Sequence, residues 1–165
     1  MIKELITKNV PKKVLDTLFV RFFGLTKIPL IFFVGPTVIR LDDEQCIVMI
    51  PLTRRTKNHL KSMYFGVLAT GADLAGGLAA MKEISDSKKK IDLSFKDFHA
   101  EFLKRAEGDV HFTCTQIPEI KKFVAEVISS GERMNFPVEI EASVPQIGPE
   151  LVAKFTLTLS LKLRS

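Results

Sequence analysis

Residues 62–81, SMYFGVLATGADLAGGLAAM, form a helix-length segment with a single charged side chain, Asp73, near its middle. A helix that is apolar on every side has to be surrounded by other apolar surface. An ionised carboxylate buried there without partners costs several kcal/mol, so its retention calls for a structural or chemical role. The segment therefore demands a partner layer that encloses it and a local environment that uses Asp73.

The remaining sequence supplies such a layer. Phe136, Val138, Ile140, Ala142 and Val144 alternate with polar residues and Pro137, and Phe155, Leu157, Leu159, Leu161 and Leu163 alternate with Thr156, Thr158, Ser160 and Lys162. Period-two patterning of this kind gives strands with one dry face. Residues 91–104 and 110–115 read as a further strand pair around Glu107-Gly108-Asp109, with a slip in apolar phase between Phe95 and Phe98 that predicts a bulge. Residues 37–41 and 46–52 flank the polar turn Asp42-Asp43-Glu44-Gln45 and predict a hairpin leading into loop 53–61.

Two amphipathic helices complete the pattern. One covers residues 11–23, with Val14, Leu15, Leu18, Phe19 and Phe22 on one face, Pro11 in the first turn and Gly24 beyond the end. The other runs from Pro118 to a stop at Gly131, with Ile120, Phe123, Val124, Val127 and Ile128 on its apolar face. The expected architecture is α+β: a curved antiparallel sheet of about six strands wrapped around the long central helix, with one helix inserted between strands. Residues 1–165 form one expected domain, of which 1–30 are an N-terminal amphipathic helical extension.

Composition narrows the function classes. The chain has 165 residues, 46% hydrophobic and 26% charged, as an ordinary globular domain does. Its net charge of +5 suits an anionic partner without choosing one. Nucleic acid is not expected, because the basic residues are not interleaved with aromatics and no zinc-finger or RNA-recognition signature is present. Cys46 and Cys114 stand alone in apolar stretches, and His59, His99 and His111 show no ligand spacing, so no metal and no redox cofactor is expected. The N-terminal sequence has no secretory h-region, which points to the cytoplasm. Stable membrane insertion is not expected either: Gly66, Gly71, Gly76 and Gly77 contribute little transfer free energy, Asp73 would lie at the costliest depth, and the strands need the helix as their core.

Asn58, Tyr64, Phe65, Gly66 and Asp73 bring a family into view. The chain resembles the hotdog-fold thioesterases, in particular their phenylacetyl-CoA thioesterase-like branch, from about residue 37 to the end. That branch has a loop Asn, then His-Gly-Gly opening the central helix, then an acid nine residues after the His. Here Asn58, Gly66 and Asp73 match in position, while Tyr64 stands in place of the His and Phe65 in place of the first Gly. The two replacements mark a divergent subfamily.

The resemblance implies hydrolysis of an acyl or aryl thioester such as an acyl-CoA. Backbone N–H groups of Phe65 and Gly66 would polarise the carbonyl, Asp73 would act as base or nucleophile, and Asn58 would position the carbonyl or the water. A helix N-terminus suits the first task because its leading N–H groups lack intrahelical partners and carry the positive end of the dipole. Tyr64 and Thr70 would line the substrate path, and Arg54, Arg55, Lys57 and Lys61 would meet the CoA phosphates. Asp73 lies about 12 Å along the helix from Phe65 at roughly 1.5 Å per residue, too far for both to act on one carbonyl. The spacing therefore predicts a homodimer, or a dimer of such dimers, with composite sites between subunits. Other roles compete with these: Asp73 as a structural carboxylate at the subunit contact, Asn58 as a turn former, and the whole chain as a non-catalytic acyl-chain or acyl-CoA binding protein. A dehydratase or hydratase is disfavoured, since no Asp-to-His loop pair has the expected spacing.

Overall fold

The structure is a computed structural model and describes residues 10–164; the first nine residues of the N-terminal extension, on which the absence of a secretory signal largely rests, lie outside the described residues. Helices α1 (Lys12–Lys27) and α2 (Pro29–Val34) precede the hairpin β1 (Thr37–Leu41) and β2 (Cys46–Ile50). The central helix α3 (Phe65–Asp86) follows, then β3 (Ile91–Phe102), β4 (Val110–Cys114), α4 (Ile117–Ser130), β5 (Met134–Ser143) and β6 (Leu151–Leu163). The six strands form one antiparallel sheet in the order β1-β2-β4-β5-β6-β3. This is the hotdog arrangement, with the sheet curved around α3.

The apolar periodicity decides which faces turn inward. Val138, Ile140 and Ala142 of β5 and Phe155, Leu157, Leu159 and Leu161 of β6 are all buried and meet the buried side of α3, including Ala72, Ala75, Ala79 and Ala80. Small residues on α3 bring its backbone close to the sheet. Gly71 lies against the ring of Phe112, itself 0% exposed, so that a Cβ there would fall inside the ring's van der Waals envelope. The bulge appears where the apolar phase slips, as a register shift between Phe95 and Phe98 against β6. Pro137 is tolerated in β5 because β4 pairs only with residues 141–143. Beyond that point α4 takes over the edge, and the Glu139 N–H donates to Gln116 Oε1 at 2.7 Å.

Two expectations are corrected. Residues 91–104 and 110–115 do not pair with each other: β3 pairs with β6 at the far edge, whereas β4 lies between β2 and β5. The intervening segment crosses the open end of the sheet and is held by Met63 N–H donating to the Ala106 carbonyl at 2.8 Å and by Asp109 Oδ1 accepting from Leu52 N–H at 2.8 Å. The first helix also presents a different face. It buries Val20 and Gly24, continues past Gly24 to Lys27, and leaves Leu18, Phe19, Phe22 and Leu25 exposed. Its orientation is set by polar anchors to the outer edge of β1. Thr17 Oγ1 accepts from Val38 N–H at 2.9 Å, and Arg21 donates to the Pro36 carbonyl at 2.9 Å. Gly24 is needed inside the helix because a Cβ there would lie 2.7 Å from the Phe32 nitrogen of α2.

Among the described residues, no helix is long and apolar enough to cross a membrane. The close approach of α3 to the sheet predicts opposite outcomes for one substitution at two sites. Gly71→Ala forces the buried Phe112 ring to move and should destabilise the fold by about 1–3 kcal/mol, outweighing the helix propensity gained. At Gly76 an added Cβ meets Ile140, Phe95 and Val138 only at 3.6–3.8 Å. Gly76→Ala should therefore stabilise by up to about 1 kcal/mol, and urea denaturation of both variants checks the sign.

Candidate functional site

The start of α3 is fixed by its loop. Tyr64, extended at φ −64° and ψ 137°, caps the helix, and its carbonyl receives the N–H groups of Val67 at 2.9 Å and Leu68 at 3.1 Å. Its own N–H donates to the carbonyl of the buried Thr56 at 2.8 Å. The amides of Phe65 and Gly66, the first two of the helix, donate to no described residue. Asn58 stabilises the turn below them: its Oδ1 accepts from Leu60 N–H at 2.9 Å and from Ser62 N–H at 3.2 Å, and its Nδ2 donates to Ser62 Oγ at 3.2 Å.

Aromatic rings surround this helix start. The Tyr64 ring lies 2.6 Å from where a Gly66 Cβ would be, which is why a glycine follows Phe65 here. Tyr64 stacks at a tilt on Phe65 with centroids 4.8 Å apart, and Phe65 meets the Phe102 edge at 6.4 Å. Tyr64, Phe65 and Phe102 are about half exposed and line a cavity of about 430 Å³ together with Asn58, Lys104 and Arg105.

Asp73 opens into a different cavity. This one has a volume of about 410 Å³ and runs beside α3 under α1 and α2, with Asp73 and Ser85 among otherwise almost wholly apolar walls. No described residue donates a hydrogen bond to the Asp73 carboxylate, and burial pushes its pKa up from the ordinary 3.8. Within one chain, Asp73 and the Phe65 amide are thus not brought together. Thr70, on the helix between them, lines neither cavity; its hydroxyl donates to the Gly66 carbonyl at 2.8 Å.

Arg54, Arg55, Lys57 and Lys61 are exposed and do not line the helix-start cavity. Arg55 instead lies over the Phe33 ring, 5.7 Å from its centroid, and Lys57 pairs in a bridge with Met63. The cations at that cavity are Lys104, ion-paired with Glu150, and Arg105. Sequence proximity favoured the first cluster; the crossover segment brings the second to the helix start through the Met63–Ala106 hydrogen bond, for which no local motif exists. Cys46 and Cys114 are buried, free thiols directly opposite each other on β2 and β4, and burial pushes Cys114 up to about 11. Among the described residues no cluster of His, Cys, Asp and Glu has the makings of a metal site.

Residues 16–160 match the family model described as a domain of unknown function, DUF4442. The chain belongs to this family. No curated protein matches it. Among solved structures it is similar to a Pseudomonas aeruginosa protein described as of unknown function and a "probable thioesterase", with 23% identity, a TM-score of 0.75, and coverage of 90% of this chain and 96% of that one. A Chlorobaculum tepidum protein of unknown function superposes with a TM-score of 0.78 at 14% identity, covering 90% and 94%. A thioesterase from Haemophilus influenzae does so with a TM-score of 0.63 at 14% identity, covering 86% and 88%. At these identities the likeness is one of fold, and the family shares with its structural neighbours a hotdog sheet around a central helix.

The environment of Asp73 has a thermodynamic consequence. Because the folded carboxyl holds its proton at pH values where the unfolded chain has lost it, stability falls as pH rises from the ordinary 3.8 through the raised value. Asp73→Asn removes that loss. The variant should melt at a higher temperature than the wild type at neutral pH, with the difference shrinking below the ordinary carboxylate range. A difference that stays constant with pH would show that Asp73 is not desolvated.

Proposed function

We propose that the chain is a cytoplasmic thioester hydrolase that needs no cofactor and acts as a homodimer on acyl-CoA-like substrates. The observation that carries this reading is Asp73: a desolvated carboxylate, unpartnered among the described residues, facing an apolar cavity. A carboxylate whose pKa is raised is a better proton acceptor, and such groups cluster where acid–base chemistry occurs. The unpaired amides at the start of α3 offer the complementary part, donors for the negative charge that builds on a thioester oxygen during attack. The spacing of Asn58, Gly66 and Asp73 supports a place near the phenylacetyl-CoA thioesterase-like branch, and the thioesterase names of structural neighbours point the same way.

In this reading the Phe65 and Gly66 amides of one subunit hold the carbonyl oxygen while Asp73 of another takes a proton from water. The water oxygen bonds to the carbonyl carbon, the carbon–sulfur bond breaks, and the leaving thiolate takes up the proton that Asp73 had accepted, which restores the carboxylate. Lys104 and Arg105, beside the helix start, are placed to attract the phosphates of the leaving group. Asn58 acts by holding the loop that presents the amides, since its side chain is already engaged with Leu60 and Ser62. A second reading, acyl-CoA binding without chemistry, is favoured by the Tyr64 ring crowding Gly66.

Phe65 allows the donor to be deleted without unwinding the helix. It is the first helical residue and Tyr64 before it is extended, so Phe65→Pro fits the backbone while removing the N–H. In a thiol-release assay over an acyl-CoA panel, Phe65→Pro should lose about 10²–10³-fold in kcat relative to Phe65→Ala, which loses the ring and keeps the donor. Asp73→Ala and Asp73→Asn should fall to background. Coexpressing Asp73→Asn with Phe65→Pro should restore about a quarter of wild-type activity, because half of randomly mixed dimers carry one intact composite site. No recovery would place both groups in one chain's site, and equal background release from all proteins, with acyl-CoA still bound, would favour the binding reading.

A further inference from the structure

The cavity beside Asp73 is lined almost wholly by apolar side chains. Its α3 wall starts at Asp73, passes Gly77 and Met81, and ends at Ser85, about three turns and roughly 18 Å further along the helix. Opposite that wall stand Phe19 and Phe23 of α1, stacked with centroids 6.3 Å apart, and Ile31 of α2. Among the described residues, the only polar side chain in the lining besides Asp73 is Ser85, and no cation contributes. A phosphate or the amides of a pantetheine arm would be desolvated there without partners. Gly77, one turn past Asp73, leaves the passage clear, since a Cβ added there would meet only the Phe95 ring at 3.8–3.9 Å.

We propose that this cavity receives the acyl tail of the substrate, that the tail is a flexible aliphatic chain and not an aryl group, and that α1 and α2 form its cover and set its length. The inference rests on the thioesterase reading for the word substrate, and on the cavity alone for the chemistry of the ligand. A cavity of about 410 Å³ has room for many groups the size of a water molecule, at about 30 Å³ each, and so for a chain of several carbons. A single aromatic ring meets only a short part of a lining that follows α3 for roughly 18 Å and leaves most of that apolar wall bare. The carboxylate at one end fixes the direction: the reacting carbonyl sits by Asp73 and the methyl end points toward Ser85. The N-terminal helices, which sequence analysis treats as an appendage, are then the part of the chain that measures the substrate.

Straight-chain alcohols from hexanol to dodecanol, which nothing in the protein can hydrolyse, probe this site by calorimetry on the full-length chain. Affinity should rise about fourfold with each methylene until the passage is full. Benzyl alcohol should bind no better than hexanol. Gly77→Ile places a branched side chain in the passage and should weaken dodecanol at least tenfold while changing hexanol less. Phe19→Ala, at a residue 51% exposed and therefore mild for folding, removes part of the cover and should lower the gain per methylene. A series without length dependence, benzyl alcohol binding as tightly as dodecanol, or an unchanged gain in both variants overturns the proposal. Thiol release measured alongside separates the two ideas. Length-dependent alcohol binding with no release from any acyl-CoA defeats the hydrolase reading and leaves this inference intact, whereas release from aryl or short thioesters with a flat alcohol series does the reverse.

Discussion

The close approach between α3 and the sheet that encloses it is the contact on which the rest of the structure depends. A helix without a polar face gains its stability from burial, and the sheet gains its core from the same surface. Alanines and glycines along α3 let strand side chains come close to the helix backbone, as the Phe112 ring does at Gly71. The same economy of side chains leaves room beside Asp73, where Gly77 adds no side chain to the wall and a cavity forms under α1 and α2. Packing and site are therefore products of one compositional choice. Near the end of α3 the demand for polar satisfaction is met differently: Lys82 bridges Asp43, the buried Glu83 and Asp86, tying the helix to the β1–β2 turn. Asp73 receives no such partner among the described residues, and that contrast within one helix is what marks it out.

The two halves of the candidate site differ in character. At the helix start the structure offers unpaired backbone donors, rings that limit access, and cations from a distant segment. At Asp73 it offers a proton acceptor and an apolar passage. Strand β3 lies at the edge of the sheet: among the described residues it pairs only with β6, and it carries the exposed Phe98, against Phe155, and the exposed Phe102, against Phe65. An open strand edge beside exposed aromatics is a surface that invites pairing with another chain. A second copy joined there would supply what each half lacks, which would make the dimer part of the proposed chemistry.

Sequence periodicity made much of this legible. The strands, the bulge between Phe95 and Phe98, the helix from Pro118 to Gly131 and the enclosure of α3 all follow from local patterns of apolar residues. Strand order did not, because β3 and β4 are adjacent in sequence and look like a hairpin. Only the need to wrap a whole helix sends β3 to the far edge. The orientation of α1 was hidden for a similar reason: its phenylalanines suggest an inward face, but the Val38 N–H donating to Thr17 and Arg21 donating to the Pro36 carbonyl set its rotation. Asp73 was visible as a lone charge in an apolar run, and the helix start was visible from its position. That Lys104 and Arg105 would border it required the tertiary fold, whereas the turn-forming role of Asn58, which its bonds to Leu60 and Ser62 fulfil, was legible in its loop.

The central claim is that Asp73 of one subunit works with the helix start of another. A crystal structure with a ketone analogue of an aliphatic acyl-CoA, in which a methylene replaces the sulfur, tests it directly. The ketone oxygen should lie within hydrogen-bond distance of the Phe65 and Gly66 amides of one subunit, with the Asp73 carboxylate of the other facing the carbonyl carbon. A ketone held by both groups of a single chain, or bound away from Asp73, would contradict it.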